Sequence, residues 1–254
     1  MATYQKRGYK PKTKEEVEEV VQEESTTAEV FSSLDEGASR TEAWVEKNQK
    51  PIFIGIAIVV IAVLGYLGYK KFIQEPKELE ASNEMYQAQT YFNEAVAGNV
   101  EKDSLFNLSL NGGEGKYGFL DIIDNYSGTK AGNLAHYYAG MAYLNTNKYQ
   151  EAIDELEDFD SDDMMLGPLA KGSIGDAFMQ LDQPEEALSF YVKAAEAKAN
   201  DFTTPRFLLK AATVAISLGK NDDAVKYLTR IQEDYSASTA AQEVPLYLGM
   251  AKAE

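Results

Sequence analysis

The pattern of apolar and polar positions divides the chain into three stretches. From Pro51 to Tyr69 it reads PIFIGIAIVVIAVLGYLGY, apolar on every side and free of charge. At helical rise this run covers about 28 Å, close to the thickness of a hydrocarbon core. A core helix would keep a polar face, and a signal peptide would start nearer the N-terminus and end at small residues, whereas this run ends at Lys70 and Lys71. The pattern predicts one membrane-spanning helix over 44–74, with Trp44, Tyr66, Tyr69 and Phe72 at headgroup depth and Lys47, Lys50, Lys70 and Lys71 reaching outward. Residues 1–43 pass from basic to acidic with few large apolar side chains, so they are expected to be mostly disordered.

Beyond Pro76 the apolar positions recur at helical spacing, and the same frame returns. In LAHYYAGMAYLNTNKYQEAIDEL, residues Gly140, Tyr143, Tyr149 and Ala152 fall where the tetratricopeptide (TPR) pattern places a small residue, an aromatic, an aromatic and a small residue. Gly175, Phe178, Pro184 and Ala187 repeat it 35 residues on (140 to 175), and Ala212, Ala215 and Ala224 repeat it more loosely 37 residues later (175 to 212). The small residues let two antiparallel helices approach, and Asn147-Lys148, Asp182-Gln183 and Gly219-Lys220 supply the turns. Gly249 repeats the first position once more, in a helix that covers the end of the stack. The expected fold is all-α: a single transmembrane helix followed by a TPR-like helical repeat (α-solenoid) domain over 77–254. Within it we expect a degenerate first repeat at 77–126 with a loop insertion at 99–116. Repeats follow at about 133–166, 168–202 and 205–236, then a capping helix at 240–254.

Charge and composition narrow the function. With 24 Lys and Arg against 41 Asp and Glu, the formal charge of -17 disfavours nucleic acid, which is bound through cationic contacts to phosphate. Without cysteine there is no disulfide, thiolate nucleophile or Cys-ligated metal. His136 is the lone histidine and reads as a packed polar residue. The acidic run Glu155 to Asp163 lacks the alternating ligands and central glycine of a calcium loop and reads as a solvated turn. No phosphate-binding loop or nucleophile elbow occurs, so no catalytic, cofactor or metal site is assigned.

A repeat stack offers a groove lined by the first helix of each repeat. By the frame, its candidates are Leu134, Tyr137, Met141 and Leu144, then Leu169 and Asp176, then Arg206 and Lys210. Their apolar members either anchor a partner's segment or pack against neighbouring repeats. Arg206 and Lys210, four apart on one helix, either grip a carboxylate or form a solvated face. In the membrane run, Gly55, Ala62 and Gly65 are candidates for docking another span. Orientation is not set by local charge, since Arg40, Lys47 and Lys50 precede the run and Lys70, Lys71 and Lys77 follow it.

The apolar run, the acidic distal part and the segment FLDIIDNYSGTKAGNLAHYYAGMAYLNTNKYQEAIDEL together resemble the YfgM-type ancillary subunits of the bacterial Sec translocon, in the form typical of Bacteroidota. The likeness covers residues 40–254, and its most specific part is the stretch from Asp124 through Tyr126, Thr129 and Gly132 to Ala135. It implies an inner-membrane protein with a cytoplasmic N-terminus and a periplasmic repeat domain. The implied partners are the SecYEG channel and a membrane-anchored chaperone of the prolyl-isomerase type. Two departures stand out: the stretch before the span is long, and Tyr137 and Met141 occupy positions where a basic clamp for acidic C-termini would place Lys and Asn. The alternative is an envelope-assembly or regulatory adaptor away from the translocon. Whichever holds, Ala152→Leu and Ala187→Leu are each expected to destabilise the stack by about 1 to 3 kcal/mol through overpacking, measurable by thermal unfolding.

Overall fold

The computed structural model describes residues 42–98 and 101–253, so the disorder expected up to residue 41 lies outside the described residues. The chain divides into two units, one ending at Tyr69 and the other beginning at Lys70. In the first, helix α1 (Gln49–Tyr69) has no buried residue. It is long and apolar enough to cross a membrane and fits a single transmembrane helix. Gly55 and Gly65 have no neighbouring side chain within 4 Å and Ala62 is exposed, leaving this small-residue face uncovered by the described residues.

The second unit opens with a π-helical turn, Lys70–Gln74, and continues as α2 (Glu75–Val96), α3 (Lys102–Asn111) and α4 (Phe119–Asn125). Three helical hairpins follow: α5 (Lys130–Asn145) with α6 (Tyr149–Asp158), α7 (Leu166–Gln180) with α8 (Pro184–Ala197), and α9 (Thr203–Ser217) with α10 (Asn221–Asp234). A last helix, α11 (Thr239–Ala253), packs on α9 and α10. The stretch expected as a loop at 99–116 contains α3. Its Gly and Asn content suggested a loop, but Phe106, Ser109 and Leu110 recur at helical spacing and are buried against α2 and α5, and that burial outweighs propensity. Gly112, at φ 76°, ends the helix.

The start of α5 accounts for the most specific stretch of the sequence. Thr129 is its N-cap: its hydroxyl accepts from the Gly132 N–H at 2.9 Å and donates to the Tyr126 carbonyl at 2.7 Å. A side chain at Gly132 would lie 2.4 Å from that same carbonyl, so the turn requires glycine there. Glu78 reaches over from α2 and accepts from the N–H groups of Lys130 and Ala131 at 2.7 and 3.1 Å. The cap thus joins α2 to the first hairpin, and a negative charge at a helix N-terminus is favourable.

Each hairpin closes in the same way. Asn147, Asp182 and Gly219 adopt φ of 61°, 58° and 70°. The next residue in each turn, Lys148, Gln183 or Lys220, donates its N–H to the carbonyl of Tyr143, Phe178 or Ala215 at 2.9, 2.9 and 2.8 Å. This left-handed residue with its six-to-one bond satisfies carbonyls that the ending helix leaves open. Beyond the turn the helices meet closely. A Cβ on Gly140 would lie 2.5 Å from the Leu156 side chain, and one on Gly175 would lie 2.7 Å from the Tyr191 ring. The partners across the seam, Ala152, Ala187 and Ala224, are fully buried.

Consecutive copies are joined by apolar contact and by charge. Phe207 of α9 sits in a notch at Gly172 of α7, where an added Cβ would fall 2.0 Å from the ring. Ion pairs link residues about one repeat apart: Asp162 with Lys198 at 3.1 Å, and Asp176 with Lys210, Glu185 with Lys220 and Glu196 with Arg230. In every pair the acid precedes the base. The turn geometry gives a direct test: Asp182→Gly is expected to stabilise by up to about 1 kcal/mol, and Gly219→Ala to destabilise by about as much. Differential scanning should resolve these as opposite shifts in Tm of roughly 2 to 4 °C.

Candidate functional site

The first helices of the hairpins carry small residues at their closest approach to their partners, at Gly140, Gly175 and Ala212, and larger side chains on their other faces. Tyr137 and Met141 on α5 line a hollow of about 360 Å³ with Phe92 and Val96 of α2, Lys102 of α3 and Asn145. The Tyr137 ring lies edge-on to Tyr138 at 5.9 Å and tilted to Phe159 at 5.3 Å, and burial pushes its phenol pKa up. It is a neutral, half-buried aromatic wall.

Leu144 and Asp176 line a second hollow, of about 380 Å³, with Tyr149, Met179, Gln180 and Tyr191. Here a polar network sits on an apolar floor. The Tyr191 hydroxyl donates to Asp176 Oδ1 at 2.6 Å, the Lys210 ammonium also donates to that oxygen, and it lies 5.3 Å from the centre of the Tyr191 ring. Burial raises the Tyr191 pKa, and the bond to Asp176 raises it further, so the phenol stays protonated and donating. Lys210 is therefore already engaged with a carboxylate of the neighbouring repeat and is not paired with Arg206 for a ligand.

Arg206 instead borders a third hollow, of about 510 Å³, with Phe202, Pro205, Asp234 and Tyr235. Among the described residues it makes no ion pair, and its guanidinium lies 5.8 Å from the Phe207 ring. Leu134 and Leu169 line none of these hollows. Leu134 packs on two core clusters and Leu169 on a third, so their role here is structural. Of the eight groove candidates, then, Tyr137 joins Met141, Leu144 joins Asp176 and through it Lys210, and Arg206 stands apart. Sequence reasoning missed Tyr191, Gln180 and Phe202. The signal for Tyr191 was its place across the seam from Gly175, whereas Phe202 lies in a connection that the repeat frame does not cover.

The acidic run does not gather into a site. Glu155 pairs with His136 at 2.8 Å, the Asp160 N–H donates to the Asn133 side chain at 3.0 Å, and Asp163 caps α7. The Asp163 carboxyl accepts from the N–H groups of Leu166 and Met165, which holds its pKa below the ordinary aspartate range. Among the described residues no three His, Asp or Glu side chains are placed to share a metal ion.

Models of the family described as tetratricopeptide repeat match residues 134–161, 170–201 and 207–238. These hairpins are tetratricopeptide repeats. The matched segments coincide with α5 to α10, so the TPR array begins at α5, with α2 to α4 before it and α11 after. A crystal structure of Podosopora anserina kinesin light chain nearly identical TPR-like repeats is similar at 14% identity and a TM-score of 0.46. That likeness covers 70% of this chain and 87% of the other. A comparison with curated proteins gives no match.

The Asp176 network is open to measurement. Asp176→Ala leaves the Tyr191 hydroxyl and the Lys210 ammonium without their shared acceptor, and is expected to destabilise the array by about 1 to 3 kcal/mol. Asp176→Asn keeps one acceptor and should lose less, as read from the two Tm values.

Proposed function

We propose that the chain is a non-catalytic, membrane-anchored scaffold whose TPR array holds another protein near the bilayer. The observation that carries this reading is the pair of hollows on α5 and α7. Tyr137, Met141, Leu144, Met179 and Tyr191 line them, and accessible apolar and aromatic side chains of this kind support binding of an extended or helical segment, as repeat arrays bind theirs. TPR repeats are protein-interaction modules, and α1 is long and apolar enough to tether one to a membrane.

In its finer form, the scaffold is an accessory subunit of the Sec channel in a bacterial inner membrane. Its N-terminus is cytoplasmic, and its repeats face the periplasm, holding a prolyl-isomerase-type chaperone or emerging client chains close to SecYEG. The resemblance of residues 40–254 to YfgM-type subunits supports this form. The aromatic and aliphatic side chains of the two hollows also suit it, because a groove whose lysine is already paired with Asp176 lacks a free basic clamp and favours hydrophobic segments over acidic C-termini. The domain reading that goes with it is a tail over 1–43, a span with interfacial flanks over 44–74 and an interaction domain over 77–254. Gly55, Ala62 and Gly65 are the face on which the channel's own helices would dock.

Affinity purification of the full chain in mild detergent tests the proposal. SecYEG subunits and the chaperone are expected to co-purify, and Tyr137→Ala with Met141→Ala should reduce the chaperone at least several-fold while leaving the channel. Recovery of the chain without any Sec subunit refutes the translocon form. If deletion of residues 1–40 then removes whatever partner is retained, a tail-directed envelope adaptor is the better reading. Protease protection in spheroplasts fixes the side of the membrane on which the repeats lie.

A further inference from the structure

Three devices lock the third repeat onto the second, and each is missing where α11 meets the third. The first is a clasp in the connection. Twelve residues before Gly175 and Ala212 stand Asp163 and Asn200, and each side chain accepts from the N–H groups two and three residues on, at 2.7 and 2.8 Å and at 2.9 and 2.8 Å. Asn200 also donates to the Met164 carbonyl at 3.0 Å, which ties its connection to the one before. Twelve residues before Gly249 the chain has Ala237, whose methyl can do neither. A hollow of about 510 Å³ lies there instead, bordered by Asp201, Phe202 and Ser236 to Ala240. Among the described residues, the first turn of α11 keeps one side-chain bond, from the Ala241 N–H to the Ser238 hydroxyl at 3.2 Å. The second device is the notch: Phe207, five residues before Ala212, fills the space at Gly172, three before Gly175. The matching positions at the next junction hold Val244 and Leu209, a smaller key and no notch. The third is charge. Asp176 pairs with Lys210, but their counterparts are Thr213 and Tyr247, and among the described residues no ion pair joins α11 to another helix.

We propose that α11 is a lid, which detaches from the third repeat as a unit while the repeats stay folded, and so uncovers on α9 and α10 the face that in the second repeat receives the next hairpin. What holds it down is apolar contact: Ala240, Val244 and Ala251 are buried, and Tyr247 and Leu248 half-buried, in the cluster shared with α9 and α10. The helix is also weak in itself. Pro245 lies inside it without an N–H to bond the preceding turn, and Gly249 has nothing within 4 Å, so close packing requires neither residue. In a repeat array each element is stabilised by its own propensity and by the junction with its neighbour. α11 is poor in the first and lacks at its junction the directional contacts that the repeats share, which places it at the low end of local stability, where opening without global unfolding occurs. The inference rests on the repeat frame, and neither membrane anchoring nor the identity of a partner bears on it.

The chain has no cysteine, so single introduced thiols report without background. In the full chain in mild detergent, Val244→Cys and Ala251→Cys place thiols at buried positions in the two halves of α11, and Ser109→Cys places one at a buried position in α3. The two on α11 are expected to react with a thiol reagent at least about tenfold faster than the one on α3, and at rates within about twofold of each other. Adding Ala237→Asn restores the clasp and should slow both by roughly threefold or more. Hydrogen exchange of the unaltered full chain keeps the test independent of these substitutions: the amides of α11 are expected to exchange as one group, at least about tenfold faster than those of α9. Labelling on α11 at the α3 rate overturns the proposal, as does fast labelling of Ala251→Cys alone, which is fraying from one end. Protection of the α11 amides equal to that of α9, or an Ala237→Asn change without effect, overturns it as well.

Discussion

The second unit depends on how closely two antiparallel helices approach within each hairpin. At Gly140 and Gly175 there is no room for a methyl group, because Leu156 and Tyr191 fill that space from the opposite helix. The buried alanines at 152, 187 and 224 make the same concession from the other side. Where Leu156 and Tyr191 enter the seam, the facing positions on the first helix must be glycine, and the larger side chains of that helix lie on its other faces. Those faces then either pack against the next hairpin or remain open as hollows. Packing within a hairpin and a surface for partners are two results of one constraint on volume.

The turns make that approach repeatable. A left-handed residue followed by a returning N–H reverses the chain in a fixed geometry, so successive hairpins start from equivalent positions and stack with a constant offset. Asn, Asp and Gly occupy the left-handed position because they tolerate it with the least strain. This is also why so much of the fold was legible in the sequence. A small residue, a turn and a second small residue at fixed separation are direct statements about backbone geometry, and the three hairpins follow from them. What the sequence concealed was governed by contact at a distance. The helix Lys102–Asn111 looks like a loop by composition, and only burial of Phe106 and Leu110 against α2 and α5 makes it helical.

Of the candidate groove, only the placement of some side chains was legible. The frame places Tyr137, Met141 and Leu144 on one face, and they do border hollows. It could not say that Lys210 would be taken up by Asp176, because a frame describes one repeat at a time and this contact joins two. Leu134 and Leu169, on the same face by frame, pack partly buried against core clusters instead. Short arrays consume part of their own groove, and the surface left over is divided among separate hollows.

The ion pairs between copies carry one more implication. Asp176, Glu185 and Glu196 of the second repeat meet Lys210, Lys220 and Arg230 of the third. By the offset that relates Gly175 to Ala212, those three bases correspond to Ser173, Gln183 and Lys193 in the second repeat itself. A tandem duplicate of the second repeat would therefore meet its own acids with one cation instead of three. The turns and seams alone would let these hairpins stack in any sequence, since they are interchangeable. The charges, together with the fit of Phe207 into the notch at Gly172, supply a grammar that turns and seams lack, favouring the third repeat as the successor of the second over a copy of the second itself.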